Sequence, residues 1–120
     1  MSAARNLQIA RNWLAAFNAQ DLEALLALYA DDAVHTSPKL RARQPETGGK
    51  VSGKAALRSW WKDAFARLPG LRYEETGLTA DEHRVLLEYV RHAPREEPML
   101  VAEVFEVTGD RIVASRVYHG

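Results

Sequence analysis

The chain has 120 residues, sixteen basic and sixteen acidic side chains, and no cysteine. That is the length of one domain, and a chain this size buries enough surface for a core without covalent staples. The zero charge balance argues against a general nucleic-acid footprint, and the missing thiols exclude disulfides, zinc–thiolate centres, iron–sulfur clusters and cysteine nucleophiles.

No apolar run approaches the ~20 residues that cross a bilayer. The opening Met-Ser-Ala-Ala-Arg-Asn lacks the apolar core of a signal peptide. The expectation is one domain over residues 1–120, cytoplasmic, with neither nucleic acid nor membrane as a partner.

Leu7, Ala10, Leu14 and Phe17 recur at helical spacing with Trp13 beside them, which predicts a helix over about residues 3–19. Asp21 reads as the N-cap of a second helix carrying Leu22, Leu25, Leu26 and Tyr29. Residues 33–37 read as a short strand stopped by Pro38. Residues 38–52 hold two prolines, two glycines and the cations Lys39, Arg41, Arg43 and Lys50, and read as one long loop, either a lid or a solvated connection.

A third helix is capped by Ser52-Gly53, presents Leu57, Trp60, Trp61, Ala64, Phe65 and Leu68, and ends at Pro69-Gly70. The period then changes. Residues 71–79, 84–92, 99–108 and 111–119 read as four strands, with Gly109-Asp110 short enough for a hairpin turn. Helices segregated from an antiparallel meander mean an α+β fold.

Alternation places Val101, Glu103, Phe105 and Val107 on one strand face. Glu103 is then a carboxyl in apolar surroundings with a raised pKa, or the partner of Arg91 or Arg116, or turned outward by a twist or bulge. In the last strand Arg111, Val113, Ser115, Val117 and His119 share a face. His119 is a candidate proton-transfer partner, or part of a frayed terminus. His35 and Ser37 share a face of the short strand. A nucleophilic reading with Glu103 as orienter lacks any G-x-S-x-G elbow. His35, His119 and Glu103 lack the close spacing of zinc motifs, so no metal is expected. Tyr89 is a pocket phenol or core packing, and Trp60 and Trp61 are core with one of them at a pocket mouth.

Three segments carry a resemblance: Leu28-Tyr29-Ala30-Asp31-Asp32-Ala33-Val34, Val51-Ser52-Gly53-Lys54-Ala55-Ala56-Leu57, and Gly109-Asp110-Arg111-Ile112-Val113 ahead of Arg116-Val117-Tyr118. Their succession resembles the SnoaL-like group of the nuclear-transport-factor-2-like superfamily, over residues 7–119. The resemblance implies a cone-shaped fold, with N-terminal helices packed against a curved, mainly antiparallel sheet around an apolar pocket. It also implies a homodimer formed through the outer sheet face. Compared with the ketosteroid isomerases of that superfamily, Ser37 stands where an aspartate base is found and Trp13 near a tyrosine donor. Glu103 matches a protonated aspartate, and His119 a late aromatic position.

The candidate catalytic residues are therefore Glu103, His119 and His35. The candidate ligand-binding residues are Trp13, Ser37, Trp60, Trp61, Tyr89 and Phe105. The expected partner is a hydrophobic small molecule, with no cofactor. Two readings follow: a small-molecule-binding domain, or an acid–base enzyme of isomerase, cyclase or hydrolase type acting on a hydrophobic cyclic or polyketide-like substrate.

Overall fold

The computed structural model describes residues 2–120. Helix α1 (Ala3–Asn18) starts at Ser2, whose side chain accepts the Arg5 N–H, and α2 (Leu22–Ala27) starts at Asp21, which accepts the Ala24 N–H. Strand β1 (Tyr29–Thr36) follows, then α3 (Pro38–Arg43), a 3-10 turn at Pro45–Thr47, β2 (Lys50–Ser52) and α4 (Lys54–Arg67). Strands β3 (Arg72–Ala80), β4 (Arg84–His92), β5 (Met99–Thr108) and β6 (Arg111–His119) complete the chain.

The six strands form one sheet in the order β2-β1-β6-β5-β4-β3. Among the described residues, only the β1–β6 pair is parallel. Register shifts interrupt β1–β6, β3–β4 and β5–β6. Each bulge adds bend and twist, and the sheet curves around α1 and α4. This is the expected α+β, cone-shaped architecture.

The core lies in that hollow. Trp13 and Phe17 of α1 stack against Tyr73 of β3, with centroids 6.0 and 4.1 Å apart, and Trp13 also meets Phe105 of β5 at 5.1 Å. Leu57, Trp60, Trp61 and Phe65 of α4 close the other side. Among the described residues, no helix is long and apolar enough to cross a membrane.

Three local expectations are corrected. Residues 38–52 are not one loop. The Ser37 side chain accepts the Lys39 N–H, Pro38 occupies the first turn of α3, and Leu40 is fully buried. Proline with its fixed φ begins this helix as well as ending the strand. Gly48 and Gly49, at φ +69° and +84°, then turn the chain back so that β2 pairs with β1. A Cβ at Gly49 would lie 3.0 Å from the Arg41 Cβ, so glycine serves both the turn and the close approach.

Second, Tyr29 belongs to β1 and not to α2. The Leu28 carbonyl accepts the Ile112 N–H at 2.8 Å, so the sheet takes the chain one residue after the helix ends. Third, β6 does not alternate throughout. Glu106 faces Ala114 while Val107 faces Ile112, leaving Val113 as the extra residue. Ile112 and Ser115 are therefore both fully buried, whereas strict alternation puts them on opposite faces.

Candidate functional site

A cleft of about 70 Å³ opens between the concave sheet face, α1, α4 and the start of α3. That is room for roughly five water-sized groups. Its walls include Trp13, His35, Ser37, Trp60, Trp61, Tyr89, Glu103 and His119. Eight of the nine expected site residues thus meet at one cavity. Phe105 does not reach the wall; it packs behind Trp13.

Glu103 sits mid-strand on β5, between Leu87 of β4 and Val117 of β6, and is 1% exposed. Its Oε1 accepts a hydrogen bond from the Tyr89 hydroxyl at 2.9 Å, and its Oε2 is buried with no protein partner. Burial pushes the carboxyl up to about 8, against the smaller lowering effect of the Tyr89 bond. Both arginines considered as partners are engaged elsewhere. Arg91 bonds Glu96 at 2.6 Å, and Arg116 bonds Glu106. Glu103 is therefore the carboxyl in apolar surroundings, a neutral acid through most of the neutral range.

His35 is 3% exposed, and burial alone lowers its pKa to about 4. Its imidazole is neutral at pH 7, and a chain of buried hydrogen bonds fixes where the proton sits. Trp13 Nε1–H donates to the Tyr29 hydroxyl at 3.1 Å, and Tyr29 donates to Ser115 Oγ at 3.0 Å. Ser115 Oγ lies 2.7 Å from His35 Nδ1. An indole can only donate. The Tyr29 proton is thereby directed to Ser115, and the Ser115 proton to Nδ1. His35 then carries its own proton on Nε2, as a neutral donor at the cleft.

His119 is half-buried at the end of β6, pairing with Val101. It is not frayed: the Gly120 N–H donates to the Leu100 carbonyl at 2.8 Å. Desolvation, then the Lys39 and Arg91 charges, hold its pKa below the usual value. Ser37 lines the cleft but spends its oxygen on the α3 cap, and His35 Nδ1 turns to Ser115 instead. Glu103 is bound by Tyr89 rather than orienting a histidine. The nucleophilic arrangement is not assembled. Among the described residues, no group of three His, Cys, Asp or Glu side chains is placed to hold a metal ion.

The sequence reading passed over Tyr29, Ser115 and Tyr73. Tyr73 stacks on Tyr89 with centroids 4.1 Å apart and lines the cleft. Its position three residues after the break at Gly70 carries no polar pattern to flag it. Strict alternation groups Ser115 with Val113 and Val117, and only the bulge at Val113 brings it inward beside Ile112.

A family model for the SnoaL-like domain matches residues 10–115. The chain belongs to the SnoaL-like family. Among solved structures, this SnoaL-like domain is similar to a SnoaL-like protein of unknown function from Burkholderia thailandensis, with 28% identity, a TM-score of 0.86, and coverage of 100% of this chain and 98% of that one. A putative ketosteroid isomerase from Kribbella flavida is 18% identical, with a TM-score of 0.81 and coverage of 98% and 79%. A putative polyketide cyclase from Sinorhizobium meliloti is 20% identical, with a TM-score of 0.79 and coverage of 92% and 94%. At these identities the last two show a shared fold. No curated protein matches the SnoaL-like domain.

Proposed function

We propose that the cleft binds a small, largely apolar molecule and exchanges a proton with it at Glu103. The observation that carries this reading is the free, fully buried Oε2 of Glu103 at the cavity wall, beside an Oε1 held by Tyr89. A carboxyl near pKa 8 is a usable acid at neutral pH and an effective base just above it. As carboxylate it takes the proton from a carbon next to a substrate carbonyl. The C–H electron pair moves into the enolate, and His35 Nε2–H donates to the enolate oxygen. The carboxylic acid so formed returns the proton to carbon. The likeness to a putative ketosteroid isomerase and a putative polyketide cyclase supports a fold suited to such chemistry, but fold alone does not assign activity.

Deuterium incorporation into small cyclic ketones, followed by NMR in D2O, tests this. The expected result is protein-dependent exchange that rises with pH and levels off above about 8, lost by roughly a hundredfold or more in Glu103→Gln. Equal exchange by the variant overturns the reading. A purely binding role is the second reading. It is favoured by Ser37, which stands where the isomerase resemblance implies an aspartate base and is occupied in capping α3. It predicts ligand-induced thermal stabilisation without exchange.

The partner proposed for the outer sheet face is a second copy of the chain. Leu100 and Tyr118 are 66% and 54% exposed there, and Leu86 of β4 adds to them. Exposed apolar groups gathered on one face mark an association surface. Sedimentation equilibrium is expected to give twice the chain mass, and Leu100→Glu to return the monomer. A monomeric wild type at all concentrations removes the proposal.

A further inference from the structure

Four permanent cations line the cleft: Lys39, Arg43, Arg67 and Arg91. Two carboxylates outside the lining serve all four. Glu96 lies 2.6 Å from Arg91 and 3.8 Å from Lys39. Asp63 lies 2.7 Å from Arg67 and 3.9 Å from Arg43. The arginine contacts hold both acids below the usual carboxylate range, so each is a full negative charge at neutral pH. Two positive charges remain in excess. Among the described residues the sole carboxyl on the cleft wall is Glu103.

The whole chain carries no net charge, so this is a local concentration of charge. It falls on a concave surface otherwise walled mostly by aromatic and aliphatic side chains. Arg91 differs from the other three in being 6% exposed. One terminal nitrogen of its guanidinium bonds Glu96, and no carboxylate meets the other. A buried guanidinium that meets one carboxylate and the uncharged Tyr73 hydroxyl still has N–H donors for a second carboxylate, because its planar fork matches two carboxylate oxygens. The cleft's roughly five water-sized positions correspond to about one six-membered ring with a small substituent.

We propose that the cleft selects ring-sized organic acids, packing the ring among the aromatic side chains and seating the carboxylate on Arg91 with the neighbouring cations in support. This rests on the reading that the cleft binds a small apolar molecule, and it adds the requirement for negative charge. Lys39, Arg43 and Arg67 raise the local anion concentration at the mouth, and their contribution is screened by salt.

All three tryptophans line the cleft, so intrinsic emission reports occupancy. Benzoate, benzamide and benzylamine serve as anionic, neutral and cationic probes of one size, titrated into the full chain. Benzoate is expected to bind at least about tenfold more tightly than benzamide, the least effect of a charge-assisted contact, and benzylamine more weakly than either. Raising NaCl weakens benzoate alone. Arg91→Met weakens benzoate by about tenfold or more and leaves benzamide unchanged. Equal affinity for benzoate and benzamide overturns the charge selection and leaves the apolar cleft standing. Binding of none of the three overturns both. If Arg91→Met does not fold, Arg67→Met decides. Weaker benzoate binding with a shallower salt dependence supports the proposal, and unchanged binding in both respects sinks it.

Discussion

Glu103→Gln is expected to be more stable than the parent at pH 8, by several kcal/mol, and close to it at pH 5. Glu103 has a folded pKa of about 8 against an ordinary glutamate value of 4.5. A raised carboxyl pKa means the folded state holds its proton more tightly than the unfolded chain. The penalty is absent below about pH 4.5, grows as pH rises, and levels off above about 8, where it is on the order of 5 kcal/mol. Glutamine keeps the shape and the acceptor for Tyr89 while removing the titration. Urea unfolding at the two pH values measures the difference, and the same variant effect at both excludes a strongly perturbed Glu103.

His35 works in the opposite sense. Its folded pKa is lowered to about 4 from 6.5, so the unfolded chain binds its proton more readily. That contribution is complete above about 6.5 and is lost as pH falls toward 4, on the order of 3 kcal/mol. Between about 4.5 and 6.5 the two slopes cancel. The parent's stability curve is expected to show a plateau there and an alkaline decline above it; Glu103→Gln abolishes the alkaline decline and turns the plateau into an acid decline that begins near 6.5, the His35 slope now standing alone.

Trp13→Ala is expected to destabilise the domain by about 3–5 kcal/mol, the usual range for removing a buried tryptophan. Trp13 is fully buried and meets the rings of Phe17, Tyr73 and Phe105. Trp13→Phe separates its two roles. It keeps most of the ring contact, and the loss should fall to about 1–2 kcal/mol for the missing hydrogen bond to Tyr29. It also removes the donor-only end of the relay. Tyr29 and Ser115 can then reverse, and His35 loses its fixed tautomer. Nitrogen-15 shifts of the His35 ring are expected to change from one protonated Nε2 to a mixture. An unchanged tautomer in Trp13→Phe removes Trp13 from that role.

The long elements were legible because burial and period agree in them. Trp13, Phe17, Trp60 and Phe65 sit at helical spacing and are buried. Alternation on β5 placed Glu103 inward among Val101, Phe105 and Val107, where the structure has it. The residues missed are set by events that no local pattern encodes. Ser115 shares an inward face with Ile112 because of a bulge at Val113. Tyr29 leaves its helix because a backbone N–H in β6 takes the Leu28 carbonyl. Arg91 was weighed only as a partner of Glu103, since the sequence does not show that Glu96 folds back to meet it. The same limit hid α3, where Ser37 and Pro38 read as a stop and act as a cap.

The parallel pairing of β1 with β6 also sets an order of events in time. His35 and Ser115 are 80 positions apart, and Tyr29 and Ser115 are 86 apart, yet each pair makes a direct contact. Closing loops that long is entropically slow compared with zipping up the β4–β5 and β5–β6 hairpins. On a ribosome the helices and β1 emerge first, with Tyr29 and His35 lacking their common partner until residue 115 has cleared the exit tunnel. The hydrogen-bond chain from Trp13 to His35 is therefore among the last parts of the molecule to assemble, and a nascent chain lacks a complete cleft before it.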